Sequence, residues 1–478
     1  MVSLKQQSIV GVAWNLIEQS GIYLIKFVIG IILARLLTPD DFGLIGMIYV
    51  FFAIAEVFVN GGLGLAFVQK KQVTDIDANT IFYTNLLLSA FIYGIIFFCA
   101  PFVAKFYKQV ELVELTRVMG FIIVINAFNV IQQAKITREV DFKRRAKVSL
   151  IATLISGSIG VVSAYLGMGV WALVIHSMTN RTLITIGFWI TSHWKPRWQF
   201  SIESLKGLST FGSWVLVSNI FRKIFDNIYV IAIGRFFPAS QVGFFTKSKG
   251  FQQLASENLA GAINSVAFPV YSRLQDNKER LRNGMRKFMQ YSLILIVPLM
   301  IGLIVVAEPF VLILITEKWI PIVPYLQLLC ISGIFFPLSM INVQSLTAQG
   351  KIRLSFQLNL LQNVLRIINI AVMYRYGVIY IIYGEIVVSV LYFLITAGFA
   401  HQSLNYGIGK QINDVWKIIS GGIIAGCIAY TPNIVTEKSW ILLLSGILLT
   451  ALGFIGTQYL YNRQLFNNAL ELKQYIMK

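Results

Sequence analysis

Thirteen charged residues lie inside long apolar stretches of this chain. Eight are basic (Lys26, Arg117, Arg181, Arg222, Lys223, Lys247, Lys249 and Arg366) and five acidic (Glu18, Glu56, Asp226, Glu257 and Glu385). A charge at the centre of a bilayer costs at least ~2.5–3.5 kcal/mol, so such groups face a partner or a polar cavity. Their spacing predicts a cavity. At 100° per residue Asn15, Glu18, Gln19 and Lys26 share one narrow arc of a helix, and so do Asn219, Arg222, Lys223 and Asp226. Glu56 and Asn60 lie one turn apart, and Lys249, Gln253, Ser256 and Glu257 form a stripe. The excess of bases over acids suits an anionic ligand, and the planar arginine fork pairs with phosphate oxygens two at a time. The alternative is packing: Glu18 with Lys26, or Asp226 with Arg222, as structural ion pairs, with Glu385 in the same balancing role.

Catalysis has no comparable support. There is no GxxxxGK[ST] phosphate loop, no HExxH and no GxSxG, and His176, His193 and His401 are isolated. Cys99, Cys330 and Cys427 have neither metal-ligand nor disulfide spacing. The chain therefore reads as a non-enzyme with no cofactor and no metal.

The elements that carry these charges follow from composition. Of 478 residues 56% are hydrophobic and 13% charged, and the mean hydropathy is +0.71. Soluble domains carry about 25% charged residues, so this is an integral membrane protein. Spanning helices need about 20 apolar residues. Fourteen runs qualify, near 10–34, 42–68, 79–100, 115–133, 148–166, 171–190, 212–233, 244–268, 291–307, 322–347, 356–374, 378–399, 416–431 and 440–460. The predicted class is all-α and polytopic. Barrel strands would alternate over about 10 residues instead. The first run contains Glu18, Gln19 and Lys26, with no small-residue cleavage site after it, so it reads as a retained span.

The net charge of +19 reflects topology, not nucleic acid. With the N-terminus inside, cytoplasmic segments hold 25 Lys/Arg and the opposite loops 7, as the positive-inside rule requires. Both termini are then cytoplasmic. The densest basic segments, 135–147 and 271–287, read as solvated loops that set topology, with anionic headgroups as the alternative partner.

The chain also repeats itself. SLKQQSIVG (3–11) and SLKGLSTFG (204–212) coincide at five of nine positions. A longer match at an offset of 200 sets Trp14 on Trp214, Gln19 on Asn219, Arg35 on Arg235, Gly43 on Gly243 and Gly61 on Gly261. Six spans separate equivalent points, which predicts two parallel six-helix repeats working by alternating access. The predicted divisions are 1–200, 201–400, and 401–478 with two appended helices and a cytoplasmic tail. The SLK phrases read as short amphipathic lead-ins at the inner interface.

Leu33-Ala34-Arg35-Leu36-Leu37, followed by Pro39, Asp41, Phe42 and Gly43, resembles the opening motif of the polysaccharide flippase group, with Wzx-type and colanic-acid-type members, of the multidrug/oligosaccharidyl-lipid/polysaccharide exporter superfamily. The resemblance implies a bacterial inner-membrane flippase for a polyprenyl-pyrophosphate-linked oligosaccharide, with a cationic cavity and membrane lipid around it. Its protein partners would be a polysaccharide polymerase and glycosyltransferases. On that reading Lys26, Arg181, Arg222, Lys223, Lys249, Arg366, Asn60 and Asn219 line the cavity. Glu18, Glu56, Asp226, Glu257 and Glu385 couple an ion or balance charge. Arg35, Gly43, Arg235 and Gly243 build a tight outer turn in each repeat. The competing functions are a peptidoglycan-precursor flippase, a multidrug or cation antiporter, and a non-transporting scaffold for polysaccharide assembly.

Overall fold

The computed structural model describes residues 4–60, 62–139, 141–192, 194–461 and 463. Among these the chain is helical with no strand, and it divides into two compact units, Met1–Gly243 and Phe244–Lys478. The first unit holds α1 (Leu4–Leu36), α2 (Pro39–Asn60), α3 (Leu63–Gln69), α4 (Asp75–Tyr107), α5 (Leu112–Ala127), α6 (Val130–Arg138), α7 (Phe142–Tyr165), α8 (Val170–Thr191), α9 (Ile202–Asp226) and α10 (Ile228–Phe236). The boundary falls inside α11 (Ala239–Ala255). The second unit continues with α12 (Glu257–Leu274), α13 (Lys278–Val305), α14 (Ala307–Ile315), α15 (Ile322–Ala348), α16 (Ile352–Met373), α17 (Val378–Leu404), α18 (Ile408–Tyr430), α19 (Pro432–Val435) and α20 (Ser439–Tyr461).

Helix ends follow local chemistry. Thr74 and Asp77 form a reciprocal capping box at the start of α4. Asp141, Ser201 and Asn277 cap α7, α9 and α13 by accepting from the backbone N–H groups of Arg144, Ser204 and Arg280. Lys108 and Asn405 end α4 and α17 in the left-handed conformation.

Ten of the described helices are long and apolar enough to cross a membrane, or eleven if α5 and α6, bent by 42°, count as one. The test is passed by α1, α2, α4, α7, α13, α15, α16, α17, α18 and α20. The expected spans at 171–190, 212–233 and 244–268 are helical too, but α8 carries Arg181, α9 carries Arg222, Lys223 and Asp226, and α11 carries Lys247 and Lys249. On α4, Leu87, Phe91, Phe98 and Phe102 make one stripe at intervals of four and seven, each at least 68% exposed. Such a stripe fits lipid tails, not water.

In the second unit α18 and α20 pack together and onto α13. A polar group fastens the packing. Gln411 and Asn342, both fully buried, exchange side-chain hydrogen bonds at 3.0 and 3.1 Å. Asp414 pairs with Arg286 at 2.6 Å and accepts from the Tyr406 hydroxyl at 2.9 Å. Burial and the adjacent Asp414 carboxylate push the Tyr406 phenol well above the usual tyrosine range.

Candidate functional site: a polar cluster among apolar helices

The first unit collects polar groups from four helices. Glu56 Oε1 on α2 accepts from Arg181 Nη2 on α8 at 3.0 Å and from Asn126 Nδ2 on α5 at 2.9 Å. Asn126 is nearly fully buried, whereas Glu56 and Arg181 are 25% and 39% exposed. Lys26 on α1 lies close enough to Arg181 for the two cations to repel, and His176 on α8 feels Lys26 in turn. Tyr49, two turns before Glu56 on α2, lies within the field of Glu56 and Arg181. Lys26 is exposed and, among the described residues, has no acidic group at ion-pair distance. The cluster thus holds two cations against one carboxylate. An anion reaching it meets one arginine already oriented by Glu56 and one lysine still open.

Glu18 does not join Lys26. It is 3% exposed and pairs with Arg145 Nε on α7 at 3.2 Å. Its second oxygen, Oε2, is buried with no hydrogen-bond partner among the described residues. Arg145 comes from the basic segment expected to be a solvated loop. Three other residues of that segment are also committed to the protein. Arg138 donates to the carbonyls of Phe67, Val68, Lys70 and Lys71. Lys143 lies 5.7 Å over the Trp14 ring, and Lys135 is 5.1 Å from the Trp194 ring.

A second group lies on α9. Arg222 Nη2 donates to Asn219 Oδ1 at 2.9 Å rather than to Asp226, and the Lys223 carbonyl accepts from Asn227 Nδ2. Arg222 and Asp226 are exposed, Lys223 and Asn219 half-buried. The side chains of Asn15, Asn60 and the first SLK phrase lie outside the described residues. The backbone from Leu4 onward runs straight into α1, and the second SLK phrase runs straight into α9, so neither forms a separate piece.

In the second unit Arg366 on α16 pairs with Glu385 on α17 at 3.1 Å, with 23% and 13% exposure. Gln253 donates to Glu257 at 3.0 Å on the α11–α12 stripe, and Lys249 is half-buried one turn before it. Lys247 lies 5.8 and 5.9 Å from the Phe251 and Trp319 rings, a cation–π site. Arg117, in the first unit, similarly lies 4.4 Å over Phe97. No group of three or more His, Cys, Asp and Glu suited to a metal occurs among the described residues.

The motif residues have a different geometry from a turn. The α1–α2 turn is made by Leu37 and Thr38, and Thr38 exchanges hydrogen bonds with Asp41 at 2.7 to 3.3 Å. Gly43 is already helical, in the first turns of α2. A Cβ there would collide with the Ala239 carbonyl, and one at Gly243 with the Pro39 carbonyl. The two contacts are reciprocal under the offset of 200, and Ser240 N donates to Asp40 Oδ1 at 2.8 Å across the same approach. Arg235 Nη1 donates to the Phe106 carbonyl at 2.6 Å, and Arg35 is exposed.

Lys26, Glu56 and Arg181 are legible in the sequence as charges inside apolar runs, whereas Asn126, His176 and Tyr49 are not legible as members of a site. Asn126 sits in an apolar run with no charged neighbour at helical spacing, and His176 reads as an isolated residue.

The chain is similar to several known proteins. Residues 32–324 match the family described as "Polysaccharide biosynthesis protein". The teichuronic acid biosynthesis protein TuaB of Bacillus subtilis is 24% identical over 358 residues, 74% of each chain. The succinoglycan biosynthesis transport protein ExoT of Rhizobium meliloti is 26% identical over 69% of this chain and 67% of its own. The lipopolysaccharide biosynthesis protein WzxC of Escherichia coli is 24% identical over 76% and 74%. Among solved structures, the inward closed conformation of the lipid II flippase MurJ superposes with a TM-score of 0.77 at 14% identity, covering 94% of this chain and 99% of that one. An inward-facing multidrug resistance MATE transporter gives 0.61 at 18% identity, covering 81% and 96%. At these identities the likeness shows the fold.

Proposed function

The chain belongs to the polysaccharide biosynthesis protein family, and from that premise we propose that it is a flippase carrying a polyprenyl-pyrophosphate-linked oligosaccharide across the bacterial cytoplasmic membrane. One observation carries the reading: Arg181, paired with the single carboxylate Glu56, lies near enough to Lys26 for the two cations to repel, between helices whose other contents are largely apolar. That arrangement is costly to build and is offset only when an anion, here the pyrophosphate, arrives. The names of the relatives concern teichuronic acid biosynthesis, succinoglycan transport and lipopolysaccharide biosynthesis, which supports the substrate class. The reading includes fourteen crossings, cytoplasmic termini, and the repeat at 1–200 and 201–400 as the basis of alternating access.

The decisive experiment deletes the gene and measures lipid-linked oligosaccharide in each leaflet. Build-up on the cytoplasmic side, relieved by the intact gene but not by Lys26→Ala, is the expected result. Unchanged leaflet distribution with normal surface polysaccharide would overturn it, and rescue of a strain depleted of its peptidoglycan-precursor flippase would reassign the substrate.

A further inference from the structure

We propose that residues 194–206 form a clamp for the anionic headgroups of the cytoplasmic leaflet; the proposal rests on the cytoplasmic placement of this segment in the topology above. The segment runs as an irregular strap from Trp194 into the start of α9, with a tight turn where the Gln199 N–H donates to the Arg197 carbonyl at 2.7 Å. Hydrogen bonds along its middle bind it to α4. The Arg197 N–H donates to Asn79 Oδ1 at 3.0 Å, Asn79 Nδ2 donates to Gln199 Oε1 at 3.2 Å, and the Ser201 N–H donates to Thr80 Oγ1 at 3.1 Å. Asn79 and Thr80 are fully buried, so their polar atoms are committed to this role. Both ends are fixed as well. Trp194 packs in an apolar cluster with Phe82, Phe67 and Ile131, and the Ser204 hydroxyl donates to Asp77, which also holds Lys70.

With 197, 199 and 201 pinned, the residues between and after them are apolar and exposed. Those residues are Trp198, Phe200 and Ile202, at 93%, 52% and 64% exposure. Trp198 does not hang loose: its ring stacks on Tyr83 with centroids 5.1 Å apart and an angle of 15°. The strap therefore holds an exposed apolar edge in place, with Trp198 laid against α4 through Tyr83. Lys195, Arg197 and Lys206 interleave with that edge and are exposed, against one acid, Glu203. Tryptophan beside lysine and arginine at a helix end fits the headgroup layer, whereas lysine is depleted from protein–protein interfaces. The charge and the interleaved apolar edge together select an anionic lipid surface over a protein partner.

The test places an environment-sensitive fluorophore at Phe200→Cys in full-length protein whose native cysteines are replaced (Cys99→Ser, Cys330→Ala, Cys427→Ser), with folding checked by gel filtration and melting. The protein is reconstituted in vesicles of phosphatidylcholine alone or mixed with phosphatidylglycerol, and quenching by nitroxide-labelled lipid is read. The expected result is quenching that rises with phosphatidylglycerol, weakens with salt, and loses about fivefold in the inserted-to-exposed ratio for each of Lys195→Gln and Arg197→Gln. A probe that stays in water in both vesicles, or is equally inserted in both, overturns the proposal. Insertion seen only in native membranes assigns the edge to a protein partner and overturns it too. Sealed inside-out vesicles separate the topology: with unlabelled Phe200→Cys protein, an impermeant maleimide that reaches position 200 only from the opposite face refutes the placement itself.

Discussion

Lys26 and Arg181 contribute similar charge but differ in what holds them, and this difference separates function from stability. Arg181 is tied to Glu56, so Arg181→Ala leaves a half-buried carboxylate with only Asn126 to satisfy it. Lys26 has no such dependant. Lys26→Ala is therefore expected to keep the melting temperature and reduce export at least about tenfold, the loss of one charge-assisted contact to the anion. Arg181→Ala should lower both, and Glu56→Gln in the Arg181→Ala background should recover the melting temperature but not export. These outcomes are read from thermal melts of purified protein beside surface polysaccharide yield. The Arg366–Glu385 pair in the second unit predicts a purely energetic effect of the same kind. Removing the guanidinium from a 13% exposed Glu385 should destabilise by about 3 kcal/mol, and the double change Arg366→Met with Glu385→Leu should destabilise less, as denaturant melts of the two would show. Glu18 marks where residue-level reading stops. Its position inside an apolar run is legible, but its partner Arg145 is 127 residues away in a segment whose composition says loop. Only the packing of α7 on α1 brings them together.

The same limit recurs for the helices. Apolar length announces a helix and roughly where it lies, so long runs such as 79–100 and 322–347 are readable. It does not announce every break. The break at Val306 has a visible cause, because Pro309 cannot donate to the carbonyl one turn back. Those at Phe128–Asn129, Asn227 and Ser256 fall within apolar or mixed runs with no proline beside them. The glycines of the repeated motif show how a correct signal can have the wrong reason. Gly43 is readable as a special position, yet it lies in helical backbone, and the need for glycine comes from the backbone of Ala239 passing against it. A methyl group there meets a carbonyl, which cannot rotate away as a side chain could. Gly43→Ala and Gly243→Ala are each expected to cost about 1–3 kcal/mol or more and to lower the amount of folded protein recovered from membranes. Gly250→Ala on α11 meets nothing within 4 Å and should be neutral. Equal recovery of all three would remove the close approach as the reason for the glycines. A parallel case is Gln411→Leu, which leaves buried Asn342 with the Thr396 hydroxyl at 3.4 Å as its side-chain partner. Adding Asn342→Leu should restore much of the lost melting temperature, since an apolar pair costs less than a half-satisfied polar one.

At the scale of the whole molecule the open quantity is the number of crossings, and its parity decides the direction of everything downstream. The helices α8, α9–α10 and α11–α12 fall outside the set that is long and apolar enough by composition. They carry Arg181, Arg222, Lys223, Asp226, Lys247, Lys249 and Glu257, more than half of the charges found within apolar runs. If polarity kept these three from crossing, an odd number of spans would vanish and residues beyond them would change sides. Arg273, Lys278, Arg280, Arg282, Arg286 and Lys287 would then lie outside, reversing the strongest part of the positive-inside bias. Retaining the charges inside polar clusters, as Glu56 retains Arg181, would keep that segment on the cytoplasmic side. Single cysteines replacing Lys71, Lys108, Lys278, Lys318 and Lys438, in a background without native cysteine, distinguish the two arrangements. With all three crossings present, an impermeant maleimide added to intact cells labels positions 108, 318 and 438 and spares 71 and 278. With all three absent, position 108 still reacts and 71 is still spared, but 278 reacts and 318 and 438 do not. The polar cluster at Lys26 and Arg181 is therefore tied to the topology: α8 can present Arg181 to a transported anion only if α8 itself crosses.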